Sequence, residues 1–470
     1  MAKVRIIQNK GFRSLWYVFV LLLMASNELL AQEKTNVIVF IADDLGWEDI
    51  GVYGNPSVHT PNMDRLAKEG MMFNRFFLTA SSCSPSRSSI LTGLYPHSTG
   101  AMNLHENMSP DVPLLVEPLK QVGYFNMLVG KSHGTNNKDV LGKFDYVDKV
   151  NWARPWEMGN MWLRALENRP KDQPFFLWAA SIDPHRPFGQ GEYPYFHDPD
   201  SIMLPSYYPD LPEIRKELAE YYDEISRFDH HIGMVLDQLE KEGILENTLI
   251  IVLSDNGRAF SQAKTRINSP GLKSPLIIRY PKMIHAGSEC NALVSAVDLS
   301  PTILDFVNTA ELPGAQGKSF LSLLKGEKDV FREYAYGEHN WHSLKAFERV
   351  VITDDYMMIK NWLPEFEASG PGDVVREPSY QAMRKLFEQG GLAEKFSDSF
   401  ISPRPAMELF DLNKDPLTLY NLAGLSAYQT ELKSLVAELE KWMKNTGDEF
   451  PGEAALKGDL IDRRSGQKLD

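Results

Sequence analysis

Four polar clusters in this sequence each follow a short apolar run of the kind that forms a buried strand. The clusters are Asp43-Asp44, Gly130-Lys131-Ser132-His133, Asp183-Pro184-His185-Arg186 and Ser254-Asp255-Asn256-Gly257. Helical patterns separate the runs, which predicts a largely parallel sheet covered on both faces. Ligands of such sheets bind beyond the carboxyl ends of the strands. The sequence therefore predicts that one pocket collects all four clusters.

The first and last clusters could hold a metal ion. Asp43 and Asp44 are adjacent carboxylates at the end of a buried strand, so they repel each other and need a nearby cation. Asp255 and Asn256 offer further oxygen ligands, and ligation by oxygen alone favours Ca²⁺ or Mg²⁺ over Zn²⁺. Each pair taken singly is also typical of a turn. Taken together at strand ends, the pairs predict a metal site.

A fifth motif, Ser82-Cys83-Ser84-Pro85-Ser86-Arg87, places a cysteine at the start of a predicted helix. Pro85 suits the first turn and Gly93 the exit, so Cys83 lies where unpaired backbone N–H groups favour anions. Arg87 can bind a tetrahedral oxyanion with two parallel hydrogen bonds. A disulfide with Cys290 is the alternative for this thiol. A thiolate is a soft ligand beside a hard cation, which favours an oxygen species made from Cys83 as the reactive group.

The run Cys83-Ser84-Pro85-Ser86-Arg87 has the form Cys-x-Pro-x-Arg and resembles the signature of the type I sulfatases. The resemblance spans residues 36–423 and includes, in order, the Asp-Asp strand end, Gly-Lys-x-His, Asp-Pro-His-Arg and Asp-Asn-Gly. Residues 81–87 and 182–186 resemble most closely the heparan N-sulfatase (sulfamidase) branch. Many O-sulfatases carry a lysine after Asp-Asn-Gly; Lys264 takes its place here, and residues 268–273 differ from the stretch that follows it in those enzymes.

The resemblance implies an α/β, alkaline-phosphatase-like sandwich with a large, mostly parallel sheet between helices and a smaller C-terminal α+β domain. It implies that a formylglycine-generating maturation enzyme oxidises Cys83 to formylglycine, whose hydrate attacks the sulfur of a sulfated saccharide and later releases sulfate. The implied ligands of Ca²⁺, with Mg²⁺ as the alternative ion, are Asp43, Asp44, the modified Cys83, Asp255 and Asn256.

Basic side chains would provide the charge and the proton transfers of such a reaction. Arg87 would hold the modified residue, and Lys131 and Lys264 would neutralise charge on the transferring group and the leaving atom. We predict that His133 is the base for collapse of the hemiacetal and that His185 is the acid or hydrogen-bond donor at the leaving atom. A lone histidine is more often structural, but both of these follow buried strands on the metal side.

Weaker candidates are predicted on the substrate side of the pocket. They are Arg186, His105, His339 and His342. Each of these histidines, like His97, is individually more typical of an ordinary loop. Arg186 is expected to add its charge to the cleft, together with the metal and the other cations.

The length, composition and charge of the chain exclude several classes of protein. The chain has 470 residues, 43% of them hydrophobic, with two cysteines and a formal net charge of −14. These values exclude a disordered tail protein and a disulfide scaffold, and they argue against a partner nucleic acid. The acidic excess does not exclude an anionic substrate, because the local field in a cleft governs binding there.

The N-terminus predicts export. Four basic residues precede an apolar run at residues 15–24, so residues 1–31 have the form of a signal peptide. We expect a periplasmic or extracellular protein without a stable membrane span after cleavage; an uncleaved anchor is the alternative. A catalytic domain is predicted over 34–345 and a C-terminal subdomain over 346–470, with a hairpin at 348–361 and helices at 380–389 and 427–444.

The sequence thus favours an exported sulfatase, most specifically one acting on N-sulfoglucosamine of heparin or heparan sulfate. Three alternatives stay open. They are an O-sulfatase on another glycosaminoglycan or on a host or algal glycan, a phosphodiesterase or phosphonate monoester hydrolase on the same frame, and an inactive glycan-binding relative. The pattern makes no prediction about the oligomeric state.

Overall fold

Buried strands that alternate with helices along the chain form the centre of the fold. The computed structural model describes residues 34–469. Its strands are β1 Asn36–Ala42, β2 Met71–Phe73, β3 Phe76–Phe77, β4 Phe125–Gly130, β5 Tyr146–Lys149, β6 Phe175–Ala180, β7 Thr248–Ser254, β8 Leu276–Arg279, β9 Ser288–Cys290, β10 Val294–Ser295, β11 Ala335–His339, β12 Glu348–Ile352, β13 Tyr356–Asn361 and β14 Met407–Asp411. Its α-helices are α1 Pro61–Glu69, α2 Cys83–Thr92, α3 Val116–Gln121, α4 Lys138–Leu141, α5 Met158–Asn168, α6 Pro212–Lys241, α7 Ser269–Leu272, α8 Leu299–Phe306, α9 Leu321–Leu324, α10 Gly372–Val375, α11 Pro378–Glu388 and α12 Gln429–Thr446.

Eight strands form the large sheet, in the order β5-β4-β6-β1-β7-β8-β2-β9. The first five strands pair in parallel, β8 runs antiparallel to both of its neighbours, and β2 pairs in parallel with β9. Strand β1 lies between β6 and β7, with Ile38 opposite Leu177 on one side and Ile250 on the other. This arrangement confirms the predicted mostly parallel sheet.

Both faces of the sheet are covered. Ile38 and Phe40 of β1 pack into a core that includes side chains of α5 and α6, whereas Val37, Val39 and Ile41 pack into a second core that includes α2 and α8. A central strand that is buried on both faces requires an apolar residue at every position. This requirement explains why the strand runs were visible in the sequence.

A smaller antiparallel sheet follows, in the order β11-β12-β13-β14. Its apolar face packs against Leu435, Leu439 and Trp442 of α12. Strands β12 and β13 form the predicted hairpin. Strand β11 belongs to this sheet although it precedes residue 345, and from Asn36 onward the described chain forms one compact unit.

The N-terminal prediction falls outside this structure. The expected signal peptide, residues 1–31, lies outside the described residues. Among the helices that are described, none is both long enough and apolar enough to cross a membrane.

Replacing His231 of α6 by phenylalanine is expected to reduce the loss of unfolding free energy that occurs as the pH falls. Burial lowers the pKa of His231 to about 3, and Arg227 acts in the same direction. A histidine of an unfolded chain titrates near pH 6.5. Between these values only the unfolded chain binds the proton, so the free energy of unfolding falls as the pH drops below about 6.5. Between about pH 7 and about pH 4.5, this residue accounts for roughly 2–3 kcal/mol of that loss.

Urea titrations of both proteins at the two pH values measure this effect. His230→Phe is the matched control, because His230 is the exposed neighbour on the same helix. An equal pH dependence in wild type and His231→Phe would contradict the assignment.

Candidate active site

The register of the parallel strands brings the polar clusters together. Ala42 at the end of β1 lies opposite Ser254 at the end of β7, so Asp43 and Asp44 emerge beside Asp255 and Asn256. The backbone N–H of Asp44 donates to Asp255 Oδ1 over 3.1 Å. Asp44 has a φ of +72°, a left-handed conformation that turns the chain sharply at the strand end. The two pairs predicted as metal ligands therefore share one buried corner.

Cys83 is the first residue of α2, and every residue of that helix is buried. Its Sγ lies 3.5 Å from Asp43 Oδ1. Both cysteines are free, which excludes the disulfide between Cys83 and Cys290. Burial raises the pKa of the Cys83 thiol well above its ordinary value, although Lys131 acts in the opposite direction. The encoded side chain is thus a neutral thiol.

Three cations lie against the three carboxylates of the strand ends. Lys131 contacts Asp43, Arg87 Nε donates to Asp255 Oδ2 over 2.6 Å, and Lys264 Nζ donates to Asp44 Oδ2 over 2.7 Å. Both terminal nitrogens of Arg87 are buried and meet no acceptor among the described residues. Unused, buried guanidinium donors beside Cys83 are well suited to bind the oxygens of an anion.

The same corner fits a divalent cation. One ligand atom from each of Asp43, Asp44, Cys83 and His185 lies within 4.8 Å of the others. Burial raises the pKa of Asp43 despite the opposing charge of Lys131. Asn256 donates through Nδ2 to Asp44 Oδ1 over 2.5 Å, and its Oδ1 is buried without a donor in the described part of the chain. A hard cation would satisfy both the buried carboxylate and the unpaired amide oxygen.

His133 and His185, which follow two of the strands, both lie beside this corner but have different partners. Burial lowers the pKa of His133 far below its ordinary value, and Lys131 and Arg87 act in the same direction. His133 is therefore neutral, and its Nδ1 is buried without a partner among residues 34–469. His185 Nδ1 donates to the carbonyl of Arg186 over 2.5 Å, which leaves Nε2 3.2 Å from Lys264 Nζ.

A pocket of about 490 Å³ opens onto Cys83. It is lined by Cys83, Leu104, His105, His133, Trp152, His185, Lys264, His342, Ser343, Gly372, Asp373, Arg376, Leu460, Ile461 and Lys468. His342 Nδ1 lies 2.8 Å from Ser82 Oγ, next to the modified position. His105 and His342, predicted on the substrate side, thus line the pocket.

The predicted place of Arg186 in the cleft is wrong. Its guanidinium forms an ion pair with Glu217 of α6 at 2.6 Å and lies over the ring of Phe188. His185 enters the pocket, but the next side chain along the loop turns into the packing layer behind it. Arg186 therefore fixes the loop that carries His185.

Two further histidines also do not line the pocket. His339 lines an adjoining cavity of about 30 Å³ beside Arg266 and Arg404, and this cavity shares His342 and Ser343 with the pocket. His97 Nδ1 lies 2.6 Å from a carboxylate oxygen of Glu338. Both are accounted for by buried polar networks.

Sequence reasoning named six of the fifteen residues that line the pocket, and two of those that it missed lie against the catalytic candidates. The ring of Trp152 lies between the two catalytic candidates, with centroids 6.2 Å from His133 and 5.5 Å from His185. Asp373 of α10 accepts from Lys264 Nζ over 2.9 Å. Burial acts to raise the pKa of Asp373, but Lys264, His185 and His342 together outweigh it and the pKa is lowered. Neither residue lies in a recognisable motif.

Known proteins are similar to this chain over most of its length. The sulfatase family matches residues 35–309, and the C-terminal family of N-sulphoglucosamine sulphohydrolase matches residues 262–383. The chain is 29% identical to an ulvan-active sulfatase of Formosa agariphila, over 90% of this chain and 77% of that protein. It is also 29% identical to human N-sulphoglucosamine sulphohydrolase, over 92% of this chain and 94% of that protein.

A solved structure shares the architecture. A protein in complex with its substrate D-glucosamine-2-N,6-O-disulfate superposes with a TM-score of 0.70 at 21% identity, covering 89% of this chain and 99% of that chain. The predicted alkaline-phosphatase-like fold is confirmed. The chain belongs to the sulfatase family, and its activity class is the hydrolysis of a sulfate ester or sulfamate.

Proposed function

We propose that this protein is an exported enzyme that removes sulfate from sulfated glycans, with the N-sulfate of glucosamine in heparin or heparan sulfate as its preferred group. The carrying observation is the pocket in which Cys83, two histidines and Lys264 converge. The match to the C-terminal family of N-sulphoglucosamine sulphohydrolase supports the narrower choice, because residues 262–383 include both Lys264 and Asp373 of that pocket. A volume of about 490 Å³ suits one or two sugar units.

The proposal includes a modified residue and an ion. Formylglycine made from Cys83 by a maturation enzyme would supply an oxygen nucleophile. Asp43, Asp44, Asp255 and Asn256 would hold Ca²⁺, with Mg²⁺ as the alternative, and the ion would polarise a sulfate oxygen as a Lewis acid. An N-terminal signal at residues 1–31 would direct the chain to the periplasm or the exterior.

The chain's own side chains provide the remaining steps. Arg87 and Lys131 bind and neutralise the oxygens of the sulfate group. His133 lines the pocket and its buried Nδ1 has no hydrogen-bond partner among the described residues, so it is placed to accept a proton during release of sulfate. His185 presents Nε2 to the pocket, and with a proton on both ring nitrogens it would donate the Nε2 proton to the leaving atom. Trp152 offers an apolar wall that orients a sugar ring and excludes water from this side.

Sulfate release from defined sugars tests the proposal. The protein, produced together with a formylglycine-generating enzyme, is offered N-sulfoglucosamine, glucosamine 6-O-sulfate and a 2-O-sulfated disaccharide. We expect kcat/KM to be highest for N-sulfoglucosamine. Release from O-sulfated sugars alone would reject the narrow function and retain the glycan sulfatase. Faster cleavage of aryl phosphate esters than of matched sulfates, or an unmodified Cys83 in the native host, would overturn the broader one.

A further inference from the structure

Asp373 places a negative charge in a pocket that must accept a sulfate. Its side chain is 27% exposed and lines the cavity together with Cys83 and Lys264. A carboxylate repels the anionic part of any substrate of this family, so its presence needs a reason. Lys264 offsets part of the repulsion by donating to Asp373 over 2.9 Å while also donating to Asp44 over 2.7 Å.

The surroundings of α10 hold Asp373 in this place. Val374 and Val375, the next two residues of the same short helix, are buried. The backbone N–H of Gly372 donates to Ser343 Oγ over 3.2 Å. Packing on one side of the helix therefore fixes the carboxylate on the pocket side.

Asp373 also lies beside the group assigned to the leaving atom. Its Oδ2 is 3.6 Å from His185 Nε2. An atom that accepts a proton from His185 Nε2 is consequently within hydrogen-bond reach of the Asp373 carboxylate. A leaving atom held at His185 Nε2 would therefore lie beside the Asp373 carboxylate.

The charge formed at that atom depends on the substrate. Hydrolysis of a sulfamate, R–NH–SO₃⁻ + H₂O → R–NH₃⁺ + SO₄²⁻, breaks the S–N bond and leaves a cation on nitrogen. Hydrolysis of an ester, R–O–SO₃⁻ + H₂O → R–OH + SO₄²⁻ + H⁺, breaks the S–O bond and leaves a neutral alcohol. A carboxylate stabilises the ammonium group and gives little stabilisation to the alcohol.

We infer that Asp373 is a specificity-determining residue that binds the departing amine and so favours sulfamates over sulfate esters. The inference rests on the proposed function. It names the residue that would favour a leaving nitrogen, as in a sulfamate, over a leaving oxygen, as in a sulfate ester. The nitrogen takes up one proton from His185 and becomes cationic, R–NH₂⁺–SO₃⁻, while its N–H groups donate hydrogen bonds to Asp373. Cleavage of the S–N bond releases the amine R–NH₂, which takes its third proton from water and leaves as the ammonium ion paired with the carboxylate.

Asp373→Asn tests this role through a ratio of two activities. We expect kcat/KM for N-sulfoglucosamine to fall about 10- to 100-fold, the scale of a lost charge-assisted hydrogen bond. The loss on an aryl sulfate should be at least about tenfold smaller, so that the ratio of the two activities falls. A parallel loss on both substrates would show that Asp373 only positions Lys264, and it would overturn the inference. Glu388→Gln, an exposed carboxylate on α11, is the matched control.

Amine binding provides a test that requires no turnover. Calorimetry with wild-type protein should show glucosamine binding at least about tenfold more tightly than N-acetylglucosamine, and Asp373→Asn should remove the difference. Equal binding of the two sugars by the wild type would overturn the role of Asp373. A wild type that binds glucosamine preferentially but releases no N-sulfate would instead reject the proposed function alone.

Discussion

Substitution of Cys83 by alanine is expected to lower kcat/KM about 10⁶-fold while the protein stays folded. In the proposed reaction, every turnover requires an oxygen nucleophile at this position, and a methyl side chain supplies none. The fold should tolerate the change, because the contact of the Cys83 side chain with Asp43 is a weak one at 3.5 Å. Sulfate release from N-sulfoglucosamine and from an aryl sulfate measures the loss, and thermal unfolding checks the fold.

Cys290→Ala is the matched control for the loss of a thiol. Cys290 is buried in the edge strand β9 and should remain an unmodified thiol in the wild type. Cys290→Ala should therefore leave kcat/KM unchanged. Intact-mass analysis of active wild type should show one thiol replaced by an aldehyde, and peptide mapping should place it at position 83. Turnover by Cys83→Ala within a hundredfold of wild type (about 2.7 kcal/mol in activation free energy) would contradict the proposed nucleophile.

Asp43→Asn is expected to lower the affinity for Ca²⁺ at least about 100-fold. It should lower kcat/KM by a comparable or larger factor. Loss of an outer partner of a metal ligand already costs about 10- to 100-fold, so a ligand itself should cost no less. A saturating ion should stabilise wild type by about 2.7 kcal/mol at 100 times its dissociation constant. In wild type this stabilisation raises the thermal unfolding midpoint when the ion is added. The Asp43→Asn variant should show only a small part of that increase.

The comparison uses chelated protein to which Ca²⁺ or Mg²⁺ is returned. Asp354→Asn, a change at an exposed carboxylate far along the sequence in the β12–β13 turn, is the control and should keep the full rise. Chelated wild type that keeps its full activity and shows no midpoint shift with either ion would reject the metal site. A rise in Asp43→Asn equal to that of wild type would reject Asp43 as a ligand.

The sequence predicted the centre of this site because the centre follows from strand pairing. Residues 175–180 are apolar throughout and form β6, as expected of an apolar run that precedes one of the polar clusters. Once β6 and β7 flank β1, Asp43 and Asp255 are brought together by the regular spacing of a parallel ladder. Motifs at strand ends are therefore predictable from local patterns alone.

The periphery of the site depends on tertiary contacts that no local pattern records. Asp373 meets Lys264 across 109 positions of sequence, and its placement depends on the burial of two valines beside it. His185 and Arg186 are adjacent in one motif, yet only the first enters the pocket, because Glu217 of the distant helix α6 binds the second. The identity of a motif residue does not determine which way its side chain points.

The full burial of α2 limits when Cys83 can be modified relative to folding. Only 2% of Cys83 is exposed, at the N-terminus of a buried helix where the pocket ends. A second protein cannot reach that sulfur once these layers have closed, so the proposed maturation enzyme would have to act before folding is complete. Pairing between distant parallel strands is slow to form. The late closure of the sheet then sets the time window in which the chain can become active.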